Sequence, residues 1–321
     1  MDTLLLKQLM ELTEEEIEIL SQEKKVRKDL YTSQRHFIIE SEKFLDKNKM
    51  ITVRKHTRFI DFPKHRHNYI EINYVVKGKL KQKVDNDSIT LKKGELLFLN
   101  QHIEHEIEAC GNDDLIINFI IQPLFFQFIF QYLNGENIIT EFLINSLFNH
   151  TQNGQYLYYA VSEVEEIQEL VEKIIKEETD GSLMAESKMK LYMGLLLIEL
   201  VKNTDKITKN QSASSQHFIV VESLKYIEEH YKNGTLQELA QRLLQSSSSL
   251  SKNIKKATGF TFKDLIQEKR LIKAKELLET TDFSVRTVVE EVGYDNISYF
   301  YRIFKEKYKK TPKELRKELA K

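Results

Sequence analysis

The spacing of apolar residues changes twice along this chain. Up to about residue 30, Leu5, Leu9, Leu12, Ile17 and Leu20 recur among charges at helical intervals. Thr13 followed by Glu16 has the spacing of a capping box, in which each side chain bonds the other residue's backbone N–H. From about residue 35 to 121 the period becomes two. The runs FIIESEKFL, MITVRKHTRF, YIEINYVVKGKLKQKV, SITLKKGELLFLN and LIINFII are separated by Gly, Asn and Asp, which predicts short antiparallel strands in a sandwich or small barrel. After Pro123 the helical period returns in FFQFIFQYL, VEEIQELVEKIIKEE and KMKLYMGLLLIELVK. Val164, Ile167, Leu170, Val171, Ile174 and Ile175 form a wide apolar stripe there, suited to cover a barrel or to pack on a second copy of the chain.

The segment 203–216, NTDKITKNQSASSQ, is polar and reads as a linker. Everything after it reads as helix. A length of 321 residues suffices for two cores, and 41% hydrophobic with 30% charged residues describes a folded globular chain. A single cysteine, Cys110, excludes an internal disulfide framework and fits a reducing compartment. No motif surrounds it, so it reads as a packing residue. No apolar run reaches the roughly 18 residues of a membrane span, and the acidic N-terminus lacks the features of a signal peptide. The expected location is the cytoplasm.

The net charge of −1 hides an asymmetry. Residues 217–321 carry 21 Lys and Arg against 15 Asp and Glu, which is +6 and leaves −7 on the remainder. A basic C-terminal third on an acidic body points to a polyanionic partner. That third also contains an internal echo. LSKNIKKATGFTF (250–262) aligns with FYRIFKEKYKKTP (300–312) at an offset of 50. Leu250 pairs with Phe300, Lys252 with Arg302, Ile254 with Phe304, Lys255 with Lys305 and Thr261 with Thr311. Each copy follows a short apolar helix, LQELAQRLL or VRTVVEEVG, so each reads as a helix-turn-helix. Gly293 supplies the turn residue in the second copy; the first has no glycine there. Between the copies, Phe262, Leu265, Ile266, Leu271, Ala274 and Leu278 share one face of a connecting helix.

These residues closely resemble the double helix-turn-helix domain of the AraC/XylS family of bacterial transcription regulators. The resemblance covers about 100 residues and rests on the RLIKAKELL connector, the VGYDNISYFYRIFK recognition helix and the TPKELR ending. Lys309 stands where the family has glycine, Val289 replaces a small residue, and Ser246 to Ser249 replace a stretch that often includes a large aromatic. The resemblance places Ser248, Ser251 and Lys252 of the first recognition helix, and Ile297, Ser298, Tyr301 and Arg302 of the second, toward base edges. Arg302 can fork onto a guanine. Lys255, Lys256, Lys305, Lys307 and Lys310 read as phosphate contacts, which position without specifying.

Upstream, His65-x-His67-x3-Glu71-x6-Gly78 reproduces the first cupin motif. Gly94-x5-Asn100-x-His102-x2-His105 keeps the glycine and final histidine of the second but loses its proline and its other glycine. Residues 35–121 therefore resemble a cupin barrel, the sensor domain of many regulators of this family. In cupin enzymes His65, His67, Glu71 and His105 would ligate a divalent metal; in the regulators the barrel generally holds a small effector.

The expected fold is α+β: an antiparallel, cupin-like β-barrel with flanking helices, then an all-α domain with two helix-turn-helix motifs. The expected division is 1–34 N-terminal helical segment, 35–122 sensor barrel, 123–202 helical dimerisation segment, 203–216 linker and 217–321 DNA-binding domain. The expected function is sequence-specific transcription regulation. The partners are double-stranded promoter DNA, a small-molecule effector, RNA polymerase and a second copy of the chain, with no membrane, cofactor, metal or catalytic residue assigned. The effector pocket is expected at His65, His67, Glu71, Tyr74, Phe98 and His105, with Phe59 and Tyr69 as further lining candidates. The alternative is a metal-dependent cupin enzyme, a dioxygenase or isomerase, with a nucleic-acid-binding tail.

Overall fold

In the computed structural model the chain is described at all residues except 1, 22–24, 35, 47–48, 131, 134–136, 149–153, 208–215 and 320–321. It divides into two compact units, Met1–Ser214 and Ser215–Lys321. The expected linker lies mostly outside the described residues. Its first part is not extended: Thr204–Lys206 is a turn of 3-10 helix, and Ile207 makes an antiparallel bridge to Tyr159.

The first unit begins with two helices, α1 (Thr3–Met10) and α2 (Glu14–Ser21). The break is chemical. Thr13 Oγ accepts from the Glu16 backbone N–H at 3.2 Å, and the Thr13 N–H donates to Glu16 Oε2 at 2.9 Å, so the capping box starts a new helix and resets its face. Leu5 and Ile19 are buried, while Leu12, Ile17 and Leu20 are exposed. The inward position expected of an apolar residue is taken by Glu16, fully buried.

Ten strands follow among the described residues: β1 (Ile38–Ile39), β2 (Ile51–Lys55), β3 (Phe62–His67), β4 (Ile70–Lys77), β5 (Lys79–Val84), β6 (Asp87–Lys92), β7 (Leu96–Leu99), β8 (His105–Ile107), β9 (Leu115–Ile121) and β10 (Tyr156–Tyr159). They form two five-stranded sheets, β1-β3-β8-β5-β6 and β10-β7-β4-β9-β2, antiparallel except where β1 runs parallel to β3. Among the described residues the two sheets are not closed into one continuous barrel. The motif glycines Gly78 and Gly94 hold φ of +76° and +82°, which only glycine adopts without strain. Val75, Leu80, Leu91, Leu97, Leu99, Ile116 and Ile120 belong to one apolar core. Cys110 joins it, and burial pushes its thiol up to about 12, consistent with a packing role.

Helices α3 (Phe125–Ile129), α4 (Ile138–Phe148), α5 (Glu165–Asp180) and α6 (Ala185–Lys202) complete this unit. The apolar stripe of α5 is interior: Ile167, Leu170, Val171, Ile174 and Ile175 are all buried, and α5 packs on α6 and β2. Those residues do not form a free face for a second copy. The second unit contains α7 (Gln216–His230), α8 (Leu236–Arg242), α9 (Ser247–Thr258), α10 (Phe262–Thr280), α11 (Val285–Glu291), α12 (Ile297–Tyr308) and α13 (Pro312–Leu319). Both copies of the repeat share one construction. Leu250 and Ile254 of α9, and Phe300 and Phe304 of α12, are fully buried. Thr261 and Thr311 are the caps of α10 and α13, each bonded to the acidic residue three positions on. Leu244 takes the place in the first turn that Gly293 takes in the second, with φ of +52° against +83°. A leucine there costs on the order of 1 kcal/mol.

Candidate DNA interface and barrel centre

The exposed faces of α9 and α12 carry the residues expected at DNA. Ser248, Lys252, Lys255 and Lys256 are exposed on α9, and Ile297, Ser298, Arg302 and Lys305 on α12; Ser251 and Tyr301 are half-buried at the edge of each face. Among the described residues none of Lys252, Lys255, Lys256, Arg302 and Lys305 is in an ion pair. Their charges are therefore available to a polyanion. Lys307 differs. It is half-buried and paired with Glu268 of α10, so it ties the recognition helix to the connector and does not point outward as expected. Lys310 also has a partner within the chain. Tyr299, on the same helix, donates its hydroxyl to Gln267 Oε1 at 2.8 Å, a packing bond that sequence spacing does not reveal.

In the first unit the structure brings four of the expected barrel residues together. His65 on β3 stands opposite His105 on β8 in the strand register, with ring centroids 4.2 Å apart. His67 follows two residues after His65 on the same face, its ring 4.9 Å from His105. Donor atoms of the three histidines all lie within 4.8 Å of one another. Glu71 arrives from β4 in the other sheet, its Oε2 lying 3.7 Å from His67 Nε2 and 3.9 Å from His105 Nε2. All four are almost completely buried.

Polar neighbours outside the motif fix the orientation of these groups. Gln82 Nε2 donates to Asn73 Oδ1 at 3.0 Å, so its carbonyl oxygen faces His105 Nδ1, 2.8 Å away. His105 Nδ1 must then carry the proton, leaving the Nε2 lone pair toward the centre. His65 Nδ1 lies 2.8 Å from the Pro63 carbonyl and is fixed as a donor in the same way. Asn73 Nδ2 donates to Glu71 Oε2 at 3.0 Å. Burial holds His65 down at about 4 against a weaker upward pull from the Pro63 carbonyl. It also keeps His67 and His105 well below the usual imidazole range. Burial pushes Glu71 up to about 7, opposed by Asn73 and Arg54. The imidazoles are thus neutral at physiological pH, the form that ligates metals.

His67 Nε2, His105 Nε2 and Glu71 Oε2 form a triangle of sides 3.3, 3.7 and 3.9 Å. Such a triangle has a centre about 2.1 Å from each corner, the length of a bond from zinc to nitrogen or a carboxylate oxygen. The donor set and its spacing fit a divalent ion. His67 Nδ1 and His56 Nε2, both buried nearby, have no hydrogen-bond partner among the described residues.

Two expected pocket residues are not part of this centre. Tyr74, three residues after Glu71, falls on the opposite face of β4, where its hydroxyl donates to Gln168 of α5 at 2.6 Å. Phe98 pairs with Ile72 across the same sheet and packs on Phe142 and Tyr159. The two-residue strand period sends both side chains away from the histidines. Tyr69 does stay near them, its ring 4.7 Å from that of His67, and Phe59 lies partly buried against the core. The chamber lined by His56, His65, Glu71, Tyr69, Arg54 and Tyr31 measures about 20 Å³. That volume holds about one water.

A model of the helix-turn-helix domain matches residues 239–318, and a model of the cupin domain matches residues 57–121. The HTH-type transcriptional activator RhaS of Escherichia coli is 24% identical over 273 residues, which is 84% of this chain and 92% of RhaS. Among solved structures, the C-terminal domain of the two-component response regulator yesN from Fusobacterium nucleatum is 40% identical over 29% of this chain and 93% of that domain, with a TM-score of 0.28. ToxT from Vibrio cholerae O395 is 15% identical over 86% of this chain and 98% of ToxT, with a TM-score of 0.34. By its repeated recognition-helix signature and the two domain models it matches, the chain belongs to the AraC family of DNA-binding transcription regulators, with a cupin domain ahead of its helix-turn-helix domain.

Proposed function

We propose that this regulator reads promoter DNA with α9 and α12 in successive major grooves, about 34 Å apart, and senses through its barrel. The observation that carries this reading is the pair of matched helices on one connector, each presenting hydroxyls and cations outside any ion pair while Leu250 and Ile254 of one and Phe300 and Phe304 of the other are buried. Ser248, Ser251, Lys252, Ile297, Ser298, Tyr301 and Arg302 are assigned to base edges, and Lys255, Lys256 and Lys305 to phosphates. Arg302→Ala is expected to weaken binding to a site selected from random DNA by about 1–3 kcal/mol and to relax preference at one base pair. Equal weakening on all sequences would make Arg302 a phosphate contact instead. No helix of the described residues is long and apolar enough to cross a membrane. The same reading has the protein act in the cytoplasm, on promoter DNA and with RNA polymerase.

The regulator is further read as a homodimer. With the α5 stripe interior, support for an interface moves to the exposed side of α6 and the turn before it, where Leu183, Met184, Leu191 and Leu195 are 95%, 58%, 58% and 49% exposed. Apolar side chains aligned this way are costly to leave in water. Leu191→Glu with Leu195→Glu should yield a monomer in sedimentation. An unchanged dimer would place the interface elsewhere.

For the barrel input, an organic effector held by His65 and Glu71 requires the 20 Å³ chamber that they line to widen. A second reading is favoured by the donor triangle: His65, His67, Glu71 and His105 hold a divalent transition-metal ion. Bound there, the ion would supply a Lewis acid and a fixed positive charge at the barrel centre. Protein purified without chelator should then carry stoichiometric metal that is lost on joint His65→Gln, His67→Gln and His105→Gln substitution. Metal-free protein that still binds its operator leaves the organic effector as the input. Turnover lost with the metal would point to the enzyme reading.

A further inference from the structure

We propose that Tyr299 is a positioning residue for Arg302 and that Gln267 fixes Tyr299 in that role. This inference rests on the reading that Arg302 meets a base edge. The Arg302 guanidinium lies over the Tyr299 ring, 5.2 Å from its centroid, and among the described residues it has no carboxylate or carbonyl partner. Its donors remain free to face outward while the ring restrains its plane. A guanidinium on an aromatic face keeps its in-plane N–H groups available for a bidentate acceptor such as guanine.

The ring is itself held from three directions. Its hydroxyl donates to Gln267 Oε1 on α10 at 2.8 Å, and the Tyr299 backbone N–H is capped by Asn296 Oδ1 at 2.9 Å. Its other ring neighbour is Tyr294, at 6.0 Å between centroids. Tyr294 carries Arg270 at 5.1 Å, and Arg270 donates to the carbonyls of Tyr231 and Lys232, each at 2.7 Å. Cations and aromatic rings thus form a ladder from the base-reading arginine, through the connecting helix, to the chain just after α7. Arg302 belongs to the second helix-turn-helix and Tyr231 leads into the first. Lys252, which occupies the place of Arg302 in the first copy, has no counterpart to Tyr299: the matching position is Ser249. The second recognition helix is therefore the one whose base-reading cation is held by an aromatic ring, while Lys252 of the first has no such restraint.

The test uses the full chain and duplexes carrying its selected site with each base pair permuted. Tyr299→Leu and Gln267→Ala should each reduce discrimination at the base pair read by Arg302 by about two- to five-fold, with preferences elsewhere unchanged. Tyr299→Phe, which keeps the ring, should lose less than Tyr299→Leu. In an Arg302→Ala background neither change should alter discrimination further. If Arg302→Ala abolishes the preference while the Tyr299 and Gln267 variants keep it, the positioning role is wrong and the Arg302 assignment stands. If Arg302→Ala keeps the preference, the assignment itself fails. A uniform loss at every position in Tyr299→Leu and Gln267→Ala alike would make Tyr299 a folding residue only.

Discussion

Glu16→Gln should lower the stability of the first unit by about 3–5 kcal/mol, the cost of leaving a buried charge without its partner. One carboxylate serves three residues here. Its Oε1 accepts from Arg58 Nε at 2.7 Å, and its Oε2 from Arg58 Nη2 at 3.0 Å, Lys55 Nζ at 2.8 Å and the Thr13 N–H at 2.9 Å. Arg58 is 2% exposed and Glu16 fully buried. Glutamine keeps the shape but removes the charge and one acceptor, and Arg58 is left as an unpaired cation in the interior. Denaturant unfolding of the full chain measures this directly. A loss below about 1 kcal/mol would mean that water or the Met10 carbonyl, already 3.1 Å from Arg58 Nη2, takes over the charge. The pH dependence follows with its sign. Burial alone raises the Glu16 carboxyl, but Arg58, Lys55 and Thr13 outweigh it and hold the group at about 2. A depressed carboxyl stabilises the fold above its ordinary value of 4.5 and loses that contribution as pH falls toward 2. Wild-type protein should therefore lose stability across that window more steeply than Glu16→Gln.

Gly293→Ala should disable the second helix-turn-helix, at a cost on the order of 3 kcal/mol from two causes acting together. The residue sits at φ +83°, and a Cβ built there would meet the Lys232 carbonyl oxygen at 2.4 Å. That oxygen cannot retreat freely, because Arg270 Nη2 donates to it at 2.7 Å. The expected result is a lower unfolding midpoint together with loss of the base preference assigned to α12. An unchanged midpoint would show that the turn has room the geometry denies. Leu244 makes the comparison instructive: with φ of +52° in the equivalent turn, it is 94% exposed, so only backbone strain and no collision applies.

Much of both units was legible in the sequence, for reasons that differ by residue. The strand period revealed the histidine pair His65 and His67, since residues two apart share a face. It equally implied that Tyr74 could not join Glu71, three residues earlier, and the expected pocket overlooked this. In the α5 stripe, periodicity identified a buried face without saying what buries it; α6 and β2 do. Lys307 carries the same charge as Lys305 and lies two residues away, yet a 100° step per residue turns it onto Glu268.

Local chemistry written in the chain determined the capping boxes at Thr13, Thr261 and Thr311, the hairpin glycines, the two-period sheets, the repeated helix-turn-helix and the exposed polar faces of α9 and α12. Each depends on residues within a few positions of one another, so spacing alone carries the information. Tertiary structure decided what spans long separations: Glu16 with Arg58, Gln82 with His105, Gln267 with Tyr299 and Lys232 beneath Gly293. It also decided that the chamber beside the histidines is about 20 Å³. Pairing across tens of residues depends on which surfaces meet when the sheets and helices pack, and cavity volume is what remains after every side chain has been placed.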